Sequence, residues 1–212
     1  WEIDLGLDYD IFCFNVESVP ELEVINELAA AKGKVANVAF RINPNVGAHT
    51  HANITTGLAE NKFGISMHDM DKVIDVALEL KHVKFIGLHF HIGSQILDMG
   101  DFIALCNRVN ELQDKLEARH ILVEHINVGG GLGIDYDHQM ENLTSQDPVV
   151  ETYDVVGPIC ESSDVFGKAV DLNKVKRGDL IALRSAGAYG EIMASGYNCR
   201  ELPKGYISEE LV

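Results

Sequence analysis

Along the first two thirds of the chain, short apolar runs alternate with stretches whose apolar residues recur at helical spacing. Ile11 to Val16 is one such run and reads as a buried strand. Ser18-Val19-Pro20-Glu21 follows it with a capping hydroxyl, a proline tolerated in a first turn and a carboxylate at the capping-box position. A helix is predicted from there, striped by Leu22, Ile25, Leu28 and Ala29 and ended by Gly33. Val35 to Ile42 is apolar enough for a strand buried on both faces, and Pro44 stops it. Asn45 to Gly64 is polar and long for a connection, the profile of a loop that carries function. Ser66, with Asp69 three residues on, opens a second helix striped by Met70, Val73, Ile74, Ala77 and Leu78, and Val83 to His91 is a third strand. Phe102, Leu105, Val109, Leu112 and Leu116 stripe a third helix, after which Ile121 to Val128 is a fourth strand.

Strands alternating with helices in this way predict a parallel sheet, as in a doubly wound fold or a section of a β/α barrel. The rhythm fails after Ile134: Asp135 to Asn142 has no apolar stripe. Beyond it, Val149 to Val156, Lys176 to Arg184 and Ala188 to Tyr197 are strand-like, divided by Gly157-Pro158, Gly178-Asp179 and Gly187. The predicted organisation is α/β: residues 1–139 form part of a TIM-like parallel β/α barrel, and residues 140–212 belong to a mainly β domain. Four strands are half of a barrel, so either the sheet is open or a segment is missing near Gln139. The start, Trp1-Glu2-Ile3-Asp4, reads as the interior of a longer chain.

Composition narrows the partners. Acidic residues outnumber basic ones 33 to 17, for a net charge of −16, which disfavours a nucleic-acid or anionic-membrane surface and favours a small-molecule or protein partner. No apolar run approaches the roughly 20 residues of a membrane span, and the start does not have the pattern of a secretory leader. Cys13, Cys106, Cys160 and Cys199 are scattered without metal spacing, as in reduced thiols of a cytoplasmic protein.

Four clusters carry candidate chemistry. Val128-Gly129-Gly130-Gly131-Leu132-Gly133-Ile134 ends the fourth strand in open backbone amides, suited to a phosphate or to a tight structural turn, without the spacing of a dinucleotide or Walker loop. His89-Phe90-His91-Ile92-Gly93-Ser94-Gln95 ends the third strand. His89 and His91 would share a face there, as metal ligands or as one core and one rim histidine, and Ser94 is placed to give a hydroxyl to a phosphate. Gly157-Pro158-Ile159-Cys160-Glu161-Ser162-Ser163-Asp164 sets a thiol among acids that disfavour the thiolate, so Cys160 is either a proton donor or a small turn residue. Gly187-Ala188-Tyr189-Gly190 frees a tyrosine hydroxyl for a ligand or packs at a turn, and Lys62 closes the long loop as a possible imine former or a solvated cation.

Taken in order, these clusters resemble the fold-type III, pyridoxal-phosphate-dependent decarboxylases of basic amino acids. Arg41-Ile42-Asn43-Pro44 and Lys62-Phe63-Gly64 match the same family. The resemblance covers nearly the whole chain, and the cysteine cluster with its double serine favours the branch acting on meso-diaminopimelate over those acting on ornithine or arginine. It implies a β/α barrel joined to a β domain, a pyridoxal 5'-phosphate cofactor, and a homodimer with shared active sites. By the same likeness, His91 stacks on the pyridine ring, Ser94 and Gly129, Gly130 and Gly131 hold the phosphate, and Tyr189 touches cofactor and substrate. Cys160 is the proton donor and Glu161 reads the substrate's distal amino group, both from the partner subunit. Two family elements are absent from the sequence: the imine-forming lysine in its Val-Lys-Ala-Asn-like setting, and a Glu-Pro-Gly-Arg-like segment. The expectation is therefore pieces of a longer enzyme, inactive as they stand, with residues missing before Trp1 and near 139/140.

Overall fold

A computed structural model describes residues 1–46, 63–134 and 139–207. Most of the long polar loop, with Lys62, and the stretch Asp135 to His138 lie outside the described residues. The chain divides into two compact units, Trp1–Ile134 and Asp135–Val212.

The first unit is an α/β layer. Helix α1 (Glu2–Asp8), which the apolar pattern does not signal, precedes strand β1 (Phe14–Val16). Helix α2 (Val19–Ala31) begins on a capping box whose return bond is shifted by one residue: Glu21 N donates to Ser18 Oγ, and Glu17 N, just before the cap, donates to Glu21 Oε2 at 2.7 Å. Leu22, Ile25 and Ala29 are buried on its inner face, and Gly33, at φ 65°, turns the chain into β2 (Ala36–Asn43). A two-residue strand, β3 (Ile65–Ser66), pairs with the end of β2 and leads to α3 (Met70–Glu79). Ser66 is thus the last residue of a strand, and Asp69 takes the N-cap position. The α3 stripe is Met70, Val73, Ile74 and Ala77, whereas Leu78 is 57% exposed. Leu78 follows Ala77 by one position, about 100° further round the helix, and so leaves the buried stripe.

Strand β4 (Val83–His89), helix α4 (Met99–Glu117) and strand β5 (His125–Asn127) complete the unit. The parallel order is β1-β2-β4-β5, with β3 beside β2. β5 is shorter than the run from Ile121 suggests, because Ile121 to Glu124 approach the sheet before the ladder starts at Gly87 and His125. A Cβ on Gly87 would lie 1.9 Å from His125 O, so the two backbones meet only because residue 87 is glycine. Val38, Phe40, Ile42, Phe85 and Leu88 pack beneath α2, α3 and α4 in one core, with Phe40 and Phe85 stacked at 5.6 Å. No helix is long and apolar enough to cross a membrane among the described residues.

The second unit is built from antiparallel pairs. β6 (Met140–Asn142) pairs with β9 (Ile181–Leu183), and β7 (Val150–Val156) pairs with β8 (Val165–Asn173). β7 alternates exposed and half-buried positions as its sequence predicts, whereas β8 is a strand that the sequence pattern does not single out. Ala188 to Tyr197, read as a strand, is instead helix α5 (Gly187–Ile192) and a 3-10 turn at Tyr197–Cys199. Glycine and alanine interrupt any β-branched alternation there, and the local i to i−4 bond from Gly190 N to Ala186 O closes a helical turn. Asn142 anchors the unit: its Oδ1 accepts from Thr144 N and Ser145 N, and its Nδ2 donates to Asp179 Oδ2 at 2.9 Å.

Candidate active site

In the first unit the chemistry gathers at the C-terminal ends of β4 and β5. Past the paired residues His89 and Asn127 the two backbones keep running side by side: Phe90 N donates to Asn127 O, Ile96 N to Gly131 O, and Gly133 N to Ile96 O. This rail brings the Ser94 segment against the glycine loop. Gly129, at φ 77°, would carry a Cβ 2.3 Å from Phe90 O and 2.9 Å from His91 Nδ1; Gly131, at φ 95°, would carry one 1.9 Å from Gly93 O. A Cβ on Gly130 would meet nothing within 4 Å. Glycine is therefore required twice, once for the approach to His91 and once for the approach to Gly93. The loop's amides are open only in part. Gly129 N is donated to Asn127 Oδ1 at 2.8 Å, Gly133 N to Ile96 O, and Gly130 N makes a long 3.4 Å contact to His91 Nδ1.

That contact puts the Gly130 N–H on the Nδ1 side of the His91 ring, the arrangement that suits a proton on Nε2. Burial and the nearby Arg41 cation both push the His91 imidazolium toward deprotonation. His89 is pushed further, to about 4, by burial first and then by Arg41 and His91, and its Nδ1 is buried without a hydrogen-bond partner among the described residues. β4 ends at His89, so strand alternation no longer sets the orientation of His91. Arg41 stands in register with His89 across β2 and β4. It is fixed by Glu17 Oε1 at 2.6 Å and lies 4.8 Å above the Phe63 ring, while Glu17 Oε2 accepts Gly64 N at 2.9 Å.

In the second unit Gly157 to Asp164 folds into a turn around one carboxylate. Asp164 Oδ2 accepts Ile159 N at 2.7 Å, and a Cβ on Gly157 would sit 2.1 Å from the same oxygen. Glu161, held by Ser163 Oγ, and Tyr189 line a single cavity of about 700 Å³ together with Tyr197 and Arg200. Cys160 is exposed beside it, its backbone N donating to Asn198 Oδ1 at 2.8 Å. Asn198 takes φ 53°, a conformation asparagine tolerates better than most side chains.

The structure thus brings His91, Ser94 and Gly129 to Gly131 together in one unit, and Cys160, Glu161 and Tyr189 together in the other. Sequence reasoning missed Glu17, Asn127, Asp164 and Asn198 as positioning groups. An available signal was polarity out of place: Glu17 directly after an apolar strand, and Asn127 between a strand and a glycine run. No group of three or more potential metal ligands comes together among the described residues.

Residues 2–167 match the family described as pyridoxal-dependent decarboxylase, pyridoxal binding domain. The chain belongs to that family. A diaminopimelate decarboxylase from Bacteroides thetaiotaomicron is 65% identical over 290 aligned positions, covering 100% of this chain and 75% of that protein. One from Methanocaldococcus jannaschii is 33% identical over 290 positions, covering 99% of this chain and 66% of that protein. The crystal structure of a Methanocaldococcus jannaschii diaminopimelate decarboxylase in complex with L-lysine superposes with a TM-score of 0.86 at 33% identity, over 94% of this chain and 64% of that one. The chain spans about two thirds to three quarters of the length of these relatives. Pyridoxal phosphate is the family's cofactor, and the glycine cradle and the neutral His91 fit its phosphate and its ring. An amine to link it does not emerge at the strand ends among the described residues. Lys32, Lys34 and Lys84 lie at the opposite ends of the strands, held by Asp4 and Asp8, Asp10, and Glu124.

Proposed function

We propose that the protein is a carboxy-lyase that removes one carboxylate from meso-diaminopimelate to leave L-lysine, the last step of lysine biosynthesis. The observation that carries this reading is the 65% identity to the Bacteroides diaminopimelate decarboxylase across the full chain. When bound, pyridoxal phosphate supplies a sink for the electrons left on the α-carbon. The protein's part is to bind, orient and protonate. His91, uncharged, offers a flat face to the pyridine ring without repelling a cationic ring nitrogen. The amides of Gly130 and Gly131, the turn of Gly129 and the Ser94 hydroxyl hold the phosphate. Tyr189 contacts cofactor and substrate, Glu161 receives the distal ammonium, and the Cys160 thiol returns a proton to the α-carbon. Cys160 and Glu161 act on the partner's site in a homodimer, and the four free thiols suit the reducing cytoplasm.

The test is a chimera in which this chain is completed with the residues that the Bacteroides relative has in addition. It is expected to bind pyridoxal phosphate, to release carbon dioxide from meso-diaminopimelate and to accumulate L-lysine. Turnover of ornithine or arginine instead would reassign the substrate within the same family. Cofactor-independent folding with no turnover of any of the three would leave a binding protein that has lost the reaction.

A further inference from the structure

Two consecutive rows of side chains cross the parallel sheet and turn to opposite faces. Val16, Phe40, Leu88 and Ile126 stand in register on β1, β2, β4 and β5, and all four pack in the core beneath the helices. One residue further along the same strands come Glu17, Arg41, His89 and Asn127, with Arg41 paired to His89 and His89 to Asn127. Side chains alternate along a strand, so this second row lies on the face turned away from the helices. In a β/α barrel that face is the interior, and the C-terminal ends of the strands are where ligands are held.

Every member of the second row is polar, and three of the four have bonds in place. Glu17 accepts from Arg41 at 2.6 Å and from Gly64 N at 2.9 Å, and Asn127 Oδ1 accepts Gly129 N at 2.8 Å. The row therefore carries both the end of the long loop and the glycine loop. His89 is the exception: its Nδ1 is enclosed and meets no hydrogen-bond partner among the described residues. Burial and the Arg41 cation keep the ring uncharged, so it has one donor and one acceptor to satisfy. A buried polar atom left unmet is a standing penalty on the fold, one that an apolar side chain of similar size would not carry. The residue as a whole is only half-buried. A half-turn about χ2 exchanges Nδ1 with Cδ2 and carries the nitrogen from the enclosed edge of the ring to the other edge.

We propose that His89 is a cofactor-binding residue: it turns a ring nitrogen toward the bound pyridoxal phosphate and makes, to a polar atom of the pyridine ring, the hydrogen bond that it lacks in the fold alone. The phosphate is taken up by Ser94 and the glycine amides, which leaves the pyridine ring for the row beneath them. His89 then links that ring to the Glu17–Arg41 pair on one side and to Asn127, which holds Gly129, on the other. This rests on the assignment of the glycine loop and His91 to the cofactor and is independent of which amino acid is the substrate.

The test compares the chain completed with the Bacteroides residues with its His89→Leu and His89→Asn variants, at mildly alkaline pH where the imidazole is uncharged in every state. The ligand is pyridoxamine 5'-phosphate, which binds without forming an imine. Leucine removes both ring nitrogens, whereas asparagine keeps a polar atom at the place of Nδ1. The leucine variant should bind about three- to tenfold more weakly, the range of one neutral hydrogen bond, and the asparagine variant should stay within about twofold of the parent. Without ligand the leucine variant should melt higher than the parent, because the unmet bond is gone. Affinity and melting temperature moving in opposite directions is what a merely structural histidine would not give. The ring nitrogen resonances of His89 in the parent should shift on adding pyridoxamine 5'-phosphate and stay in place on adding inorganic phosphate. Should the leucine variant fail to fold, these resonances decide. Unchanged affinity in the leucine variant, a joint loss of affinity and melting temperature, or an equal shift with inorganic phosphate would each overturn the proposal while leaving the site assignment standing. A parent that does not bind pyridoxamine 5'-phosphate would overturn both.

Discussion

Glu17, one residue past the end of β1, and Arg41, near the end of β2, are joined at 2.6 Å, and the Glu17 carboxylate spends its second oxygen on the amide of Gly64. The pair ties the first strand, the second strand and the end of the long loop into one corner. It also fixes the cation that, after burial, does most to keep His89 and His91 uncharged.

Glu17→Gln keeps the shape of this corner and removes its charge. The Arg41 side chain is 13% exposed and would be left as a largely buried cation without a counter-ion among the described residues. Complete burial would put the loss at several kcal/mol, and the partial exposure of Glu17 reduces it to about 1–3 kcal/mol. Urea unfolding should show the midpoint falling with an unchanged slope; a midpoint within error of the parent would mean that solvent already screens the pair.

The three glycines of the loop should separate sharply. Gly131→Ala places a Cβ against Gly93 O at φ 95°, and Gly129→Ala places one against Phe90 O at φ 77°. Backbone strain alone costs each about 1–3 kcal/mol, with the collision added. Gly130→Ala meets open space and should leave thermal unfolding unchanged. Equal effects at all three positions would show that the loop is free to rearrange.

Much of this layout was readable in the residues. The capping box at Ser18 and Glu21, the stripe Leu22, Ile25 and Ala29, and the glycine loop after a strand rest on local rules, and each is where its pattern puts it. Position 78 and the Ala188 to Tyr197 segment were misread because apolar content does not by itself fix a period: one extra leucine extends a stripe, and small residues suit a turn of helix as well as a strand. The positioning groups were the least legible. Asn127 serves Gly129 two residues away, which a local rule could have found, but Glu17 serves Gly64 and Asn198 serves Cys160, distances in sequence that no local pattern spans.

Stability should depend on pH in a window set by the histidines. His89 is depressed from 6.5 to about 4 in the fold, and His91 is lowered as well. Below the unfolded value the unfolded chain takes up the proton first, so their contribution is complete above about pH 6.5 and is lost as pH falls toward 4. Asp71, Glu141, Glu151 and Asp179 are also lowered, from values of 3.8 to 4.5, and act in the same direction at lower pH. Between pH 4.5 and 6.5 the slope therefore belongs mainly to the histidines. His89→Gln should flatten it in urea titrations taken across that range, and an unchanged slope would assign the effect elsewhere.

The last prediction isolates one hydrogen bond under the proposed proton donor. Asn198 both accepts Cys160 N and occupies a positive φ, so an alanine there would confuse a lost bond with backbone strain. Asn198→Gly keeps the conformation and removes the acceptor, while Asn198→Asp keeps both. In the completed protein the glycine variant should lose about three- to tenfold in kcat, the range of one neutral hydrogen bond, with its cofactor absorbance intact. The aspartate variant should stay close to the parent, and Cys160→Ala should lose more than either. If glycine and aspartate behave alike, the bond does not position the thiol; if Cys160→Ala turns over at the parent rate, the proton comes from another group.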